Sequence, residues 1–199
     1  PGSKEGRRIL FVGRNFVRKG GPLVVQAFTI LRKKYLWSAE LYLAGAKESD
    51  IRDALRERQI RVEEVDWQKI HLLGDLGSEK LTDYYNLCDV FCMPSYFEAY
   101  GLVFAEALTY GLPCIGRDKF AMSEFIDDGC TGRLISGEDA EELALDLWEV
   151  LQDPKYREEV ERRREWYLRE YSWDKVAQRI CSVMEKNERD KDQYRSAGV

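Results

Sequence analysis

Histidine occurs once in these 199 residues, as His71, and no cluster of carboxylates has the spacing of a cation site, so the chain carries no recognisable metal-ligand set. Cysteine occurs five times, an odd number without the two paired spacings of a zinc site. Cys88, Cys92 and Cys114 border or occupy apolar runs and read as reduced core thiols, as do Cys130 and Cys181 in more polar settings. No apolar run approaches the ~20 residues of a membrane span and no signal-like start is present, so cytoplasmic localisation is the expectation. An excess of positive charge is missing too. The 31 Lys and Arg residues face 36 Asp and Glu, a net charge of -5, which excludes nucleic acid as a partner but leaves room for a local basic cluster that grips a small anion. Internal repeats and low-complexity tracts are absent.

What the sequence does contain is an alternation of short apolar runs with helical patterns, on a length suited to one domain that buries roughly 70% of its unfolded surface. Strands are expected over 9–12, 41–44, 70–73, 90–93, 113–115 and 133–135. Helices are expected over 23–31, 51–60, 81–88, 102–110 and around 123–126. Apolar strands alternating with helices predict an α/β fold: a Rossmann-like parallel sheet of about six strands with helices on both faces. Beyond position 138 the chain turns charged and helical over 141–151, 158–171 and 174–186, with a break at Pro154. Arg162, Arg163 and Arg164 lie among glutamates, as an ion-paired solvated face would have them. Residues 1–7 read as a linker, 8–186 as the domain and 187–199 as a fraying tail.

Ligands of such sheets gather at the carboxyl ends of the strands, and two segments concentrate chemistry there. The first is GRNFVRKGG over 13–21, with Arg14, Arg18 and Lys19 between the first strand and its helix. Neither the dinucleotide fingerprint nor a P-loop is present, because Gly-x-Gly-x-x-Gly is missing and Arg18 stands where a P-loop needs glycine. Arg14 offers a planar fork for phosphate and Lys19 a compact charge, flanked by Gly13 and Gly20, which let the backbone come close. Solvated surface cations are the alternative. The second segment, 94–116, sets Glu98 and Glu106 around a helix entrance at Tyr100, Gly101 and Leu102. Unpaired amides and the positive end of the helix dipole suit a phosphate there, and a carboxylate in the first turns can hold a sugar hydroxyl. A glycosidase also uses two carboxylates, at ~5 to 9.5 Å, whereas eight residues of helix span about 12 Å. A hydrolase, moreover, has no diphosphate for the basic loop to bind. His71, in an apolar strand, reads as a core imidazole rather than a catalytic base.

Gly13-Arg14, Lys19-Gly20, Gly74, Pro94-Ser95, Glu98, Gly101, Glu106-Ala107 and Gly111-Leu112-Pro113, followed by Tyr171-Ser172-Trp173, resemble the donor-binding half of retaining glycosyltransferases of family 4, which have the GT-B architecture. The resemblance runs from about position 8 to 179. It implies that Arg14 and Lys19 neutralise the diphosphate of a nucleotide sugar such as a UDP- or GDP-sugar, with amides near Tyr100, Gly101 and Leu102 adding donors. It implies further that Glu106 binds the ribose hydroxyls, that Glu98 lies close to the transferred sugar, and that Gly74 and Leu76 face the base through their backbone. Transfer in that family needs no metal and no cofactor. The partner it implies is an N-terminal acceptor-binding domain, which this sequence does not supply, so the chain alone is expected to be inactive. The helix over 174–186 would cross toward that domain.

The sequence departs from the family pattern after Gly116, where a paired-glycine loop is usual and RDKFAMSE stands instead, with Phe120, Ala121 and Met122 in place of small residues. Arg117 and Lys119 are expected to face solvent, with a reach to the sugar as the alternative. A nucleotide-binding or interaction module of the same fold, without transferase activity, is the alternative function.

Overall fold

The apolar runs do become strands. In the computed structural model, which describes residues 7–172 together with 174–175, 177–178 and 181–182, β1 (Arg8–Val12), β2 (Glu40–Ala44), β3 (Ile70–Gly74), β4 (Val90–Cys92), β5 (Cys114–Arg117) and β6 (Gly132–Ile135) form one sheet. Its order is β3-β2-β1-β4-β5-β6 and every pairing is parallel. The central strands β1 and β4 are the most thoroughly apolar, as burial on both faces requires: Ile9, Leu10, Phe11, Val90, Phe91 and Cys92 are fully buried.

The chain winds outward from β1 through β2 to β3, crosses back to β4, and winds the other way to β6. Because crossovers between parallel strands are right-handed, the reversal puts α1 (Gly21–Lys34) and α4 (Leu102–Thr109) on opposite faces. The helices α6 (Ala140–Gln152) and α7 (Pro154–Glu170) complete the two layers, α6 against α1 and α7 against α4. Helices α2 (Glu48–Glu57), α3 (Ser78–Leu87) and the single turn α5 (Met122–Phe125) fill the remaining connections. Phe91 meets Phe104 edge to face at 5.2 Å between β4 and α4, and each such buried aromatic contributes about 1.5–3 kcal/mol.

Local chemistry sets the ends. Pro22 sits in the first turn of α1, where its missing N–H costs nothing, and Arg32, Lys33 and Lys34 close the last turn against the negative end of the dipole. Asp139 and Asp153 cap α6 and α7, accepting from the amides of Glu141 and Lys155 at 2.8 and 3.0 Å. The break expected at Pro154 falls between α6 and α7, and α7 starts earlier than expected because Pro154 fits its first position behind that cap. β5 runs on to Arg117, whose partner in β6 is Ile135. Most of the expected last helix over 174–186 lies outside the described residues, as does the tail over 187–199. Among the described residues no helix is long and apolar enough to cross a membrane.

Candidate functional site

β1 and β4 are neighbours from which the chain departs in opposite directions, so the loops after them diverge and leave a crevice at their carboxyl ends. The sequence then fastens these two loops to each other. Gly20 has φ 79°, and a Cβ there would lie 2.4 Å from the Pro94 carbonyl oxygen, so only glycine allows this approach. The Tyr96 amide donates to Arg18 O at 2.9 Å, and Arg18 Nη1 donates to Phe97 O at 2.7 Å. Ser95, fully buried, has its hydroxyl 2.9 Å from Phe97 O and 3.2 Å from Arg18 O. The loop carrying Lys19 and the loop carrying Glu98 therefore form one unit.

Within that unit Lys19 Nζ donates to Glu98 Oε2, with the two side chains only 14% and 13% exposed. Glu98 Oε1 accepts a long bond from the Gly101 amide at 3.4 Å. Gly101 adopts φ 65° as it opens α4, leaving Tyr100 and Leu102 exposed on either side. A cation, a carboxylate and a helix entrance thus converge at the switch point. Lys19 is a point charge on a flexible stem, so it can exchange one anionic partner for another.

Arg14 reaches the other way. Its Nε donates to Asp75 Oδ1 at 3.2 Å, and both side chains are exposed. With Val12, Gly13, Gly45, Asp75 and Leu76 it lines a small open pocket beyond β1, β2 and β3. Gly74 leaves β3 with φ 63°, its carbonyl accepting from the Gly45 amide at 2.7 Å. Glu106, on the exposed side of α4, accepts from Tyr85 Oη at 3.0 Å, and Tyr85 stacks on Tyr110 at 5.3 Å. Burial, with Glu106 beside it, pushes the Tyr85 phenol well above its ordinary range and keeps it a donor.

The structure thus brings Lys19, Glu98 and Gly101 together, and Gly13, Arg14 and Leu76 together beside Gly74, while Glu106 holds to Tyr85. Of the three loop cations only Lys19 is drawn away from solvent, while Arg14 and Arg18 stay exposed beside their partners. Arg14 pairs with Asp75, Arg18 secures Phe97 O and Lys19 pairs with Glu98.

Four residues read differently in three dimensions. Arg117, expected in solvent, is 4% exposed. Its Nη1 donates to Gly137 O at 2.7 Å and Nη2 to Pro94 O at 3.4 Å, while its guanidinium lies 4.8 Å from the centre of the Tyr96 ring. Its Nε is buried without a partner. Arg58 approaches the same ring at 5.3 Å and donates to Tyr96 Oη at 2.9 Å, and Tyr96 donates to Glu138 at 2.7 Å. The Arg117, Tyr96, Arg58 and Glu138 cluster escaped sequence reasoning. His71, expected in the core, lies on the edge strand β3, partly exposed, stacked on Tyr42 at 4.4 Å and 3.3 Å from Glu40 Oε2. Cys88, Cys92 and Cys114 are buried as expected, with thiols pushed up by burial, whereas Cys130 and Cys181 are exposed.

Comparison with known proteins adds independent findings. The sequence model of the family described as Glycosyl transferases group 1 matches residues 2–166. An uncharacterized glycosyltransferase of Methanocaldococcus jannaschii is 28% identical over 182 residues, 90% of this chain and 45% of that protein. The phosphatidyl-myo-inositol mannosyltransferase of Mycolicibacterium smegmatis is 28% identical over 184 residues, 92% of this chain and 46% of that protein. The crystal structure of a pneumococcal O-GlcNAc transferase in complex with UDP and GlcNAc superposes with a TM-score of 0.70 at 24% identity, over 92% of this chain and 37% of that one. The chain spans about half the length of the curated relatives it matches.

Proposed function

We propose, for a chain that belongs to the group 1 glycosyl transferases, that it is the donor-binding half of a retaining enzyme that moves a sugar from a nucleoside diphosphate to a hydroxyl acceptor. The observation that carries this reading is the part-buried Lys19–Glu98 pair at the β1/β4 switch point, beside the amide of Gly101 at the entrance of α4. Bound diphosphate would take Lys19 from Glu98 and draw Arg14 from Asp75, and their charge would stabilise the leaving group as it develops. Those two cations supply the positive charge that the transfer needs without a metal ion. Glu98, released, would face the sugar, and Glu106, oriented by Tyr85, would take the ribose hydroxyls. The backbone at Gly74 and Leu76, beside the pocket at Arg14 and Asp75, would meet the base. The acceptor hydroxyl would attack the anomeric carbon on the face the nucleotide leaves, from a second domain outside this chain.

Calorimetry with UDP, GDP and ADP tests the reading, UDP first because the pneumococcal transferase was solved with it. One diphosphate is expected to bind weakly, and Lys19→Ala to weaken it by about 10- to 100-fold, the size of a charge-assisted contact. A folded chain that binds none of the three overturns the proposal. Sugar transfer by this chain alone would overturn the need for a second half.

A further inference from the structure

Phe120 has φ 56°, in the left-handed region that bulky side chains avoid and glycine enters freely. Burial does not compensate, because its ring is 52% exposed. Phe97, 50% exposed, packs against it edge to face at 5.0 Å. Both rings belong to residues tied to Glu98 through the backbone: Phe97 precedes it in the chain, and the Ala121 amide, next to Phe120, donates to Glu98 O at 3.3 Å. Two half-exposed aromatic residues, one in a costly backbone conformation, therefore adjoin the residue whose carboxylate pairs with Lys19. A backbone outlier kept at a site, where a smaller residue would relieve it, marks a side chain that is used.

We infer that Phe120 and Phe97 set the specificity of the sugar subsite by taking an apolar edge of the donor's hexose, while Glu98 takes a hydroxyl. This rests on the donor-binding reading above. Aromatic residues adjoining a carboxylate-bearing residue suit a pyranose, which presents C–H groups on one side and hydroxyls on another. A hydroxyl turned onto the rings would lose its water and gain no partner, whereas a methyl group would gain contact area. The preferred donors thus carry a methyl-bearing substituent, acetamido or 6-deoxy, at that edge.

Affinities of the full chain for UDP, UDP-glucose and UDP-N-acetylglucosamine test this, replaced by GDP, GDP-mannose and GDP-fucose if guanine is the base bound. The wild type is expected to prefer the methyl-bearing donor. Phe120→Gly is expected to cut that preference by about three- to tenfold, the size of one aromatic contact, while binding the bare diphosphate within about twofold. Its melting temperature should not fall, since glycine suits the left-handed backbone. Phe97→Ala, at a residue without that strain, should move the preference in the same direction. A wild type indifferent to the substituent, or an unchanged preference in both variants with diphosphate binding intact, overturns the inference. Absence of any diphosphate binding would instead overturn the donor-binding reading beneath it.

Discussion

Asp89 and Glu98 are both largely buried carboxylates bordering β4, one before the strand and one after it, and they are held in opposite ways. Asp89 accepts from the amides of Arg7 and Arg8, both at 2.9 Å, from the Arg8 guanidinium at 3.1 and 3.3 Å, and from Arg157 at 3.4 Å. Glu98 has one lysine and one long amide bond. The amino end of the sheet ties strand, loop and α7 into a network whose members cannot leave without unfolding. The carboxyl end instead keeps an exchangeable cation, a left-handed phenylalanine and an arginine with an orphan N–H. Similar burial therefore serves stability at one end and, on the function proposed above, recognition at the other.

Asp89→Ala should expose that difference most strongly. It removes the acceptor of the partly buried Arg8 guanidinium and of the Arg7 and Arg8 amides, for a loss of about 2–3 kcal/mol. Urea unfolding should show a lower midpoint at constant slope, and the folded fraction should bind diphosphate as the wild type does. An affinity that falls with stability would break the division between the two ends.

Arg117 tests the opposite end with a smaller effect. Arg117→Met removes bonds to Gly137 O and Pro94 O and the contact with Tyr96, but also removes the orphan Nε, so the net loss of stability should be about 1–2 kcal/mol. Pro94 and Tyr96 support the loop that carries Glu98, so diphosphate affinity should fall by about three- to tenfold, unlike in Asp89→Ala. Arg117→Lys should not restore it, because an ammonium cannot serve two carbonyls and an aromatic face at once. Equal affinity in Arg117→Met and wild type would reduce the cluster to packing.

The fold was legible in the sequence because burial on both faces makes parallel strands apolar throughout, and all six expected strands pair in one parallel sheet. Glycines and charges at the ends of those strands marked the crevice, since Gly13, Arg14, Lys19, Glu98 and Gly101 stand out by residue type alone. Side-chain direction was not legible. Nothing in spacing shows that Arg14 turns to Asp75 while Lys19 turns to Glu98, or that Glu106 meets Tyr85, because each pairing depends on how separate crossovers stack. Arg117 was misplaced since a charged residue after an apolar run normally reaches water. Here Tyr96 and two backbone carbonyls replace that water.

Glu40 gives the smallest and most specific test of the amino end, where it opens β2. Burial opposes its ionisation, but hydrogen bonds from Lys69, Tyr42 and His71 outweigh that, and its carboxyl is held below the ordinary 4.5. The unfolded chain therefore binds the proton more readily, so Glu40 stabilises the fold above about pH 4.5 and loses that contribution as pH falls through its folded pKa. Asp146 acts with the opposite sign. Burial raises its carboxyl above 3.8 despite Arg133, so its effect on stability is most favourable in acid and declines as pH rises through that window. The two partly cancel in the wild-type profile, and only the difference between wild type and Glu40→Gln isolates one of them. Urea midpoints from pH 6 down to pH 3 should show a gap in stability that closes with acid. At pH 6 it should be at most about 1 kcal/mol, the scale of a partly exposed ion pair, with diphosphate affinity unmoved. A gap that stays constant with pH would mean that shape, not charge, is what Glu40 supplies.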